Sequence, residues 1–297
     1  MSKNKKELFC GAATAIVTPF SGGKIDYRAL GNLIDFQTDG GIETIVVAGT
    51  TGEAPTISYE ELEDIFAFSA ERAKGKAKIL AGCGCNCTER AVEIAKIAEW
   101  SGCNGLLAVN PYYNKPSASG LIKHYLAITE STNLPIILYN VPSRTGVNIT
   151  LPVYRELAKH ERIVAVKEAS GNLSAIAQLI DECGDALDVY SGNDDQIVPI
   201  MSLGGKGVIS VVSGILPKET HDICAACLAG DFKTGAELQL KYLKLINTLF
   251  CEVNPVPVKA ASALLGLCNG ELRLPLCEME DDNHQKLVGV MKQYGLL

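Results

Sequence analysis

A lysine stands in the middle of a run whose other members suit a buried strand: Ile163-Val164-Ala165-Val166-Lys167-Glu168-Ala169-Ser170. An ammonium among apolar neighbours loses hydration, which disfavours the charged form, and a neutral amine is a nucleophile that forms a Schiff base with a carbonyl. The competing use of such a residue is a stem that carries its charge to water, or a partner for Glu168. Schiff-base chemistry further needs a proton shuttle, an anchor for an anionic substrate and exclusion of water. The sequence offers a candidate for each. Tyr139 ends the apolar run before that of Lys167, where its phenol is within reach of a reacting carbon. Gly49-Thr50-Thr51-Gly52 combines flexible backbone, whose N–H groups can converge on an anion, with hydroxyls that relay protons. Arg144 follows Tyr139 by a few residues and has the fork geometry to grip a carboxylate.

These residues must be positioned by something regular. Short runs rich in Val, Ile, Leu and Ala, without clean polar alternation, fall at Ala12 to Phe20, Thr44 to Thr50, Lys78 to Gly84, Gly105 to Pro111, Pro135 to Val141, Ile163 to Ser170, Leu187 to Gly192 and Gly207 to Ser213. Such runs fit parallel strands buried on both faces. Amphipathic segments separate them, with helix starts at Asp26 and at the capping box Ser58-Tyr59-Glu60-Glu61. Eight strands alternating with helices predict an α/β fold, a (β/α)8 TIM barrel over residues 1–230. An open doubly wound sheet is disfavoured, because Thr18-Pro19-Phe20 follows the first strand where a G-x-G-x-x-G fingerprint would stand. Helical segments at Leu216 to Gly230, Thr234 to Glu252, Pro255 to Leu267 and Asp281 to Tyr294 exceed what closes a barrel, so residues 231–297 read as a C-terminal helical extension. Barrel enzymes carry their chemistry at the C-terminal ends of the strands, which is where Thr50, Tyr139, Lys167 and Asn110-Pro111-Tyr112-Tyr113-Asn114 fall.

Composition narrows the function classes. A net charge of -7 and the absence of a basic run beyond Lys3 to Lys6 argue against nucleic acid as a partner. No stretch reaches the roughly 18 apolar residues of a membrane span, and no targeting segment is evident, so the expected location is the cytoplasm. There the eleven cysteines are expected to be reduced thiols. Cys83, Cys85 and Cys87 would share one face of a strand, a poor tetrahedral set, and Cys224-Ala225-Ala226-Cys227 lies inside a helix rather than at a helix start. The histidines, at positions 124, 160, 221 and 284, show no ligand spacing. No metal is expected.

In this order, G-T-T-G-E from Gly49, N-P-Y-Y-N-K-P from Asn110, Y-N-V-P-S-R-T-G from Tyr139, V-K-E-A-S from Val166 and S-G-N-D from Ser191 resemble the Schiff-base aldolase and lyase family that includes dihydrodipicolinate synthase and N-acetylneuraminate lyase. The resemblance covers nearly the whole chain. It implies an imine between Lys167 and pyruvate with no separate cofactor, an enamine formed from that imine, and a relay of Tyr139, Thr50 and Tyr113, with Tyr113 entering a neighbouring subunit's site. It further implies that the backbone around Thr51 holds the pyruvate carboxylate, that Arg144 binds the carboxylate of L-aspartate 4-semialdehyde, and that the main chain at Gly192 and Ile209 borders the pocket. The assembly implied is a homotetramer, a dimer of dimers. Thr50 and Arg144 favour the synthase branch, because the lyase branch usually has serine at the former place and lacks arginine at the latter. A sugar-acid aldolase or dehydratase is the runner-up, and a non-catalytic carbonyl-acid sensor would have lost one of the site residues.

The resemblance also bears on regulation. Lysine-inhibited members bind lysine behind the position of Tyr112. There this chain keeps Asn86 but has Ala54, Pro55, Tyr59 and Leu62 in place of polar groups, and Arg90 where a glutamate would meet the ligand's ammonium. Insensitivity to lysine is the expectation.

Overall fold

The computed structural model describes residues 7–297, so the basic start from Lys3 to Lys6 lies outside the described residues. Eight parallel strands close into a barrel: β1 Gly11–Ala15, β2 Thr44–Val47, β3 Lys78–Cys83, β4 Gly105–Val109, β5 Ile136–Asn140, β6 Ile163–Glu168, β7 Asp188–Ser191 and β8 Gly207–Ser210. β1 pairs with both β8 and β2, so the sheet has no open edge. Helices follow the strands in turn: α1 Tyr27–Asp39, α2 Tyr59–Arg72, α3 Thr88–Trp100, α4 Ala118–Glu130, α5 Leu151–Leu157, α6 Leu173–Cys183, α7 Ile197–Ser202 and α8 Pro217–Leu228. The expected helix starts form as read. Asp26 accepts from the Ala29 amide, and Ser58 and Glu61 complete a reciprocal capping box.

Two apolar layers flank the strands. Between strands and helices lie Leu33, Ile65, Phe66, Leu121 and Ile176, among others. Inside the barrel, Phe9, Leu80, Leu107, Ile137, Tyr190 and Ile209 form a second cluster. Phe9 stacks on Tyr190 at 4.2 Å, and the buried Tyr190 hydroxyl donates to the Phe9 carbonyl at 2.5 Å. The barrel is thus a filled core with an aromatic floor, and a reacting group can be reached only from the strands' C-terminal ends.

Each strand stops short of its apolar run. β1 ends at Ala15, and Phe20–Ser21 instead pairs antiparallel with Lys24–Ile25. β2 ends at Val47 because Ala48 turns the chain with φ +51°. After β5, Pro142 opens the helical turn Pro142–Thr145. After β8, the Val211 and Val212 amides leave the ladder and donate to the Asp194 carboxylate at 3.0 and 2.8 Å. β3 ends at Cys83, so the expectation of one strand face shared with Cys85 and Cys87 fails: Cys87 is already the N-cap of α3. Cys224 and Cys227 do lie within α8, and burial raises the pKa of both thiols, which suits packing rather than redox exchange.

Three helices follow α8: α9 Phe232–Thr248, α10 Val256–Leu264 and α11 Asp281–Gln293. α9 packs on α7 and α8, and α10 packs on the turn that follows β8. This arrangement brings residues 250–273 over the end of the barrel where the strands terminate.

One titrating group reports on this packing. His124 on α4 contacts the Thr88 hydroxyl at 2.9 Å, and burial pushes its pKa down from 6.5 to about 4. The unfolded chain therefore takes up a proton that the native state refuses, so the stabilisation is complete above pH 6.5 and is lost as pH falls towards 4. Between pH 7 and pH 5 this group should account for about 2 kcal/mol of lost stability. Urea unfolding of His124→Gln should show a pH dependence smaller by that amount; an unchanged pH dependence would refute the assignment.

Candidate active site

The site begins with the pleat of β6. Successive side chains of a strand point to opposite faces, so Lys167 and Glu168 cannot both enter the barrel. Lys167 points inward, 4 % exposed, with its ammonium nitrogen 4.4 Å from the centroid of the Tyr139 ring. In register, Lys167 is flanked by Tyr139 on β5 and Tyr190 on β7. Glu168 points outward into a donor cluster: Oε1 accepts from Asn140 Nδ2 at 2.6 Å and Tyr154 Oη at 2.8 Å, and Oε2 accepts from Ser170 Oγ at 2.6 Å. The reading of Glu168 as a charge partner for Lys167 is excluded by this geometry. Asn140 in turn accepts from Asn110 Nδ2 at 3.0 Å, and Asn110 accepts from Tyr125 Oη at 2.6 Å. The network ties the ends of β4, β5 and β6 together behind the lysine, with its main donors and acceptors matched.

A cavity of about 190 Å³ opens above Lys167. Thr50, Thr51, Tyr139, Arg144 and Gly192 line it together with the lysine. Six of the residues singled out from the sequence therefore converge on one space. Gly192 is there for a steric reason: a Cβ at this position would lie 2.6 Å from that of Ala169 and 3.0 Å from the Glu168 carbonyl oxygen. Ile209 is fully buried in the interior cluster and is not part of the cavity wall, which Val211 reaches instead. Tyr113 is also outside it, 91 % exposed and with φ +70°, a left-handed conformation uncommon for a non-glycine residue.

The loop from Gly49 to Gly52 lies between two further left-handed residues, Ala48 at +51° and Glu53 at +58°. Such conformations persist only where the surroundings over-determine them. Here they do. The Glu53 carboxylate is fully buried, pairs with Lys259 Nζ on α10 at 2.5 Å and accepts from the Arg273 amide at 3.1 Å. Lys259 and Arg273 both lie over the Phe20 ring, at 4.3 and 4.2 Å from its centroid. Burial lowers the pKa of Lys259, and the Glu53 carboxylate opposes that shift. Asp194, also fully buried, has its pKa raised by burial against the hydrogen bonds of Ser210, Val212 and Val211 and the charge of Lys167.

Sequence reasoning passed over Ser143, Asn193, Phe250 and Asn254, which complete the wall. Asn254 is 6 % exposed; its Nδ2 donates to Thr51 Oγ1 at 3.0 Å, and its carbonyl accepts from Arg144 Nη2 at 3.1 Å. The available signal was weak: Asn254-Pro255 reads as a turn between two helical segments.

A buried amine on a barrel strand, a phenol stacked over it, a threonine loop and a guanidinium at the mouth define a class I aldolase-type lyase. The chain belongs to the dihydrodipicolinate synthetase family, whose model matches residues 8–294. It is 49% identical over 292 residues to the 4-hydroxy-tetrahydrodipicolinate synthase of Lachnoclostridium phytofermentans, across 98% of this chain and 99% of that protein. The crystal structure of dihydrodipicolinate synthase from Aquifex aeolicus matches with a TM-score of 0.95 at 43% identity, across 97% of this chain and 99% of that one. The chloride-inhibited dihydrodipicolinate synthase of Acinetobacter baumannii, solved in complex with pyruvate, matches with a TM-score of 0.95 at 39% identity, across 97% of this chain and all of that one (100%).

The buried Glu53–Lys259 pair yields a stability prediction. Lys259→Met strands a carboxylate in a fully buried site and should cost about 3–5 kcal/mol. Adding Glu53→Gln should recover most of that loss, because the paired charges are removed together. Chemical denaturation of both variants is the check, and a single variant as stable as the parent would count against the pair.

Proposed function

We propose that this protein condenses pyruvate with L-aspartate 4-semialdehyde to give 4-hydroxy-tetrahydrodipicolinate, the first committed step of the diaminopimelate route to lysine. The observation that carries the reading is the convergence of Lys167, Tyr139, Thr50, Thr51 and Arg144 on one cavity in a chain of this family. Lys167 attacks the pyruvate carbonyl and, with loss of water, forms the imine. Removal of a methyl proton gives the enamine, whose carbon attacks the aldehyde. The substrate's own amine then displaces Lys167 and closes the ring, so the chemistry needs no cofactor beyond the imine.

Tyr139 lies over the lysine and Thr50 borders the same space, so these hydroxyls carry protons to and from the imine and the new alkoxide. Thr51 and the adjoining backbone hold the pyruvate carboxylate, and the main chain at Gly192 borders the pocket. Ile209 packs in the interior cluster with Tyr139 and does not itself line the cavity. Arg144 at the mouth receives the second carboxylate, a preference that separates this reading from an aldolase or dehydratase acting on hydroxyl-rich sugar acids. Tyr113, exposed on its own subunit, supplies its hydroxyl to a neighbour's site in a homotetramer. No helix among the described residues is long and apolar enough to cross a membrane; the cytoplasm is the location that this reading implies.

Borohydride reduction in the presence of pyruvate should add one pyruvate-derived mass to the peptide carrying Lys167 and none to Lys167→Ala. Labelling of another lysine would overturn the assignment. Arg144→Ala should still trap pyruvate, yet lose about a hundredfold or more in kcat/KM for the semialdehyde. Unchanged semialdehyde kinetics would exclude the synthase reading in favour of a sugar-acid acceptor.

Lysine should leave the activity unchanged at concentrations up to about 1 mM, the level that corresponds to roughly -4 kcal/mol of binding. Arg90 donates to the Tyr59 hydroxyl at 3.2 Å and presents a cation to any ammonium ligand there, while Leu62 is buried and apolar. A dose-response curve with half-inhibition below that level would overturn this.

A further inference from the structure

Asn254 touches both groups assigned above to substrate carboxylates. Its side-chain amide donates to Thr51 Oγ1 at 3.0 Å, and its backbone carbonyl accepts from Arg144 Nη2 at 3.1 Å. These two partners come from different strand ends, Thr51 after β2 and Arg144 after β5, and no strand pairing joins those two strands to each other. Asn254 belongs to neither. It enters from the segment between α9 and α10, and five residues further on Lys259 fixes the other end of the threonine loop through Glu53. The residue is 6 % exposed and lines the cavity. A hydrogen bond held in such a site constrains its partners more than one on the surface, because water cannot replace either group.

We propose that Asn254 is a positioning residue that sets the separation of Thr51 and Arg144, and so matches the cavity to a pair of carboxylates carried by two substrates. The inference rests on the reading of Thr51 and Arg144 given above. Acting through Thr51, the amide holds the hydroxyl oxygen in one place, and that hydroxyl borders the space where the first carboxylate is held. Acting through its carbonyl, the same residue takes one donor of Arg144 and leaves the rest of the guanidinium for the second carboxylate. The C-terminal helical segment is thereby part of the site's specificity and not only its cover.

The test is a double-mutant cycle with Asn254→Ala and Thr51→Val, read as KM and kcat for pyruvate and for the semialdehyde. Asn254→Ala should raise KM for pyruvate by about tenfold, the effect of one buried hydrogen bond, while kcat at saturation stays within about threefold. The double variant should be no worse than Thr51→Val alone, because both changes remove the same contact. Asn254→Asp, which keeps a hydrogen bond to the Thr51 hydroxyl but adds a negative charge, should impair both substrates more than the alanine does. Wild-type KM values in Asn254→Ala, or effects of the two single changes that simply multiply, would overturn the proposal. Borohydride trapping with pyruvate in the parent protein keeps the two failures apart: no adduct at Lys167 sinks the functional reading itself, whereas an adduct with unchanged KM values in Asn254→Ala sinks this inference alone. If Asn254→Ala does not fold, the comparison passes to Asn254→Ser, whose shorter side chain should raise KM for pyruvate in the same way, and wild-type values in that variant overturn the proposal equally.

Discussion

Two charged side chains adjacent in sequence are sent to opposite sides of one strand, and the site depends on that separation. Glu168 is fixed outside the barrel by Asn140, Tyr154 and Ser170. A slip of β6 by one residue would put a carboxylate into the interior and the ammonium among the helices, leaving both without partners, so the outer network specifies the register of the strand. Lys167 is then held at the top of the apolar interior without a carboxylate bonded to it. The face of the strand that it takes is set by what lies behind the strand.

The threonine loop is organised on the same plan. The groups facing the cavity are short and uncharged, and the charges that hold them are one layer back, in the Glu53–Lys259 pair and the Arg273 contacts. Buried ion pairs of this kind add little net stability but cost a great deal to break singly. They suit a loop whose backbone must stay in one conformation, because any alternative would separate the charges in a region that water does not reach.

Much of this was legible in the sequence. All eight strands could be located, because parallel strands covered on both faces leave continuous runs of Val, Ile, Leu and Ala. Their ends could not, because apolar character continues past the point where the ladder stops: nothing in Ala48-Gly49 announces φ +51° at the alanine. Lys167, Tyr139, Thr50, Thr51, Arg144 and Gly192 were recoverable because each lies near the C-terminal end of such a run or within a few residues after it. Asn254 was not, since its two partners are Thr51, 203 positions away, and Arg144, 110 positions away, and no local pattern encodes a contact across that span. The Glu168 network was hidden for a similar reason. From sequence alone its carboxylate looked like a partner for the lysine beside it, and only the pleat, with Asn140 and Tyr154 behind it, says otherwise.

The way the barrel closes has a consequence for synthesis of the chain. β1 is flanked on one side by β2, near it in sequence, and on the other by β8, almost two hundred residues later. The cavity wall is completed later still, by Phe250 and Asn254. While the polypeptide is leaving the ribosome, the early strands therefore wait with one side of β1 unpaired and with the amine of Lys167 facing an unfinished interior. The cavity wall can be complete only after Phe250 and Asn254 have emerged and packed. A truncated product of translation would contain every residue of the imine chemistry and still have no closed chamber in which to perform it.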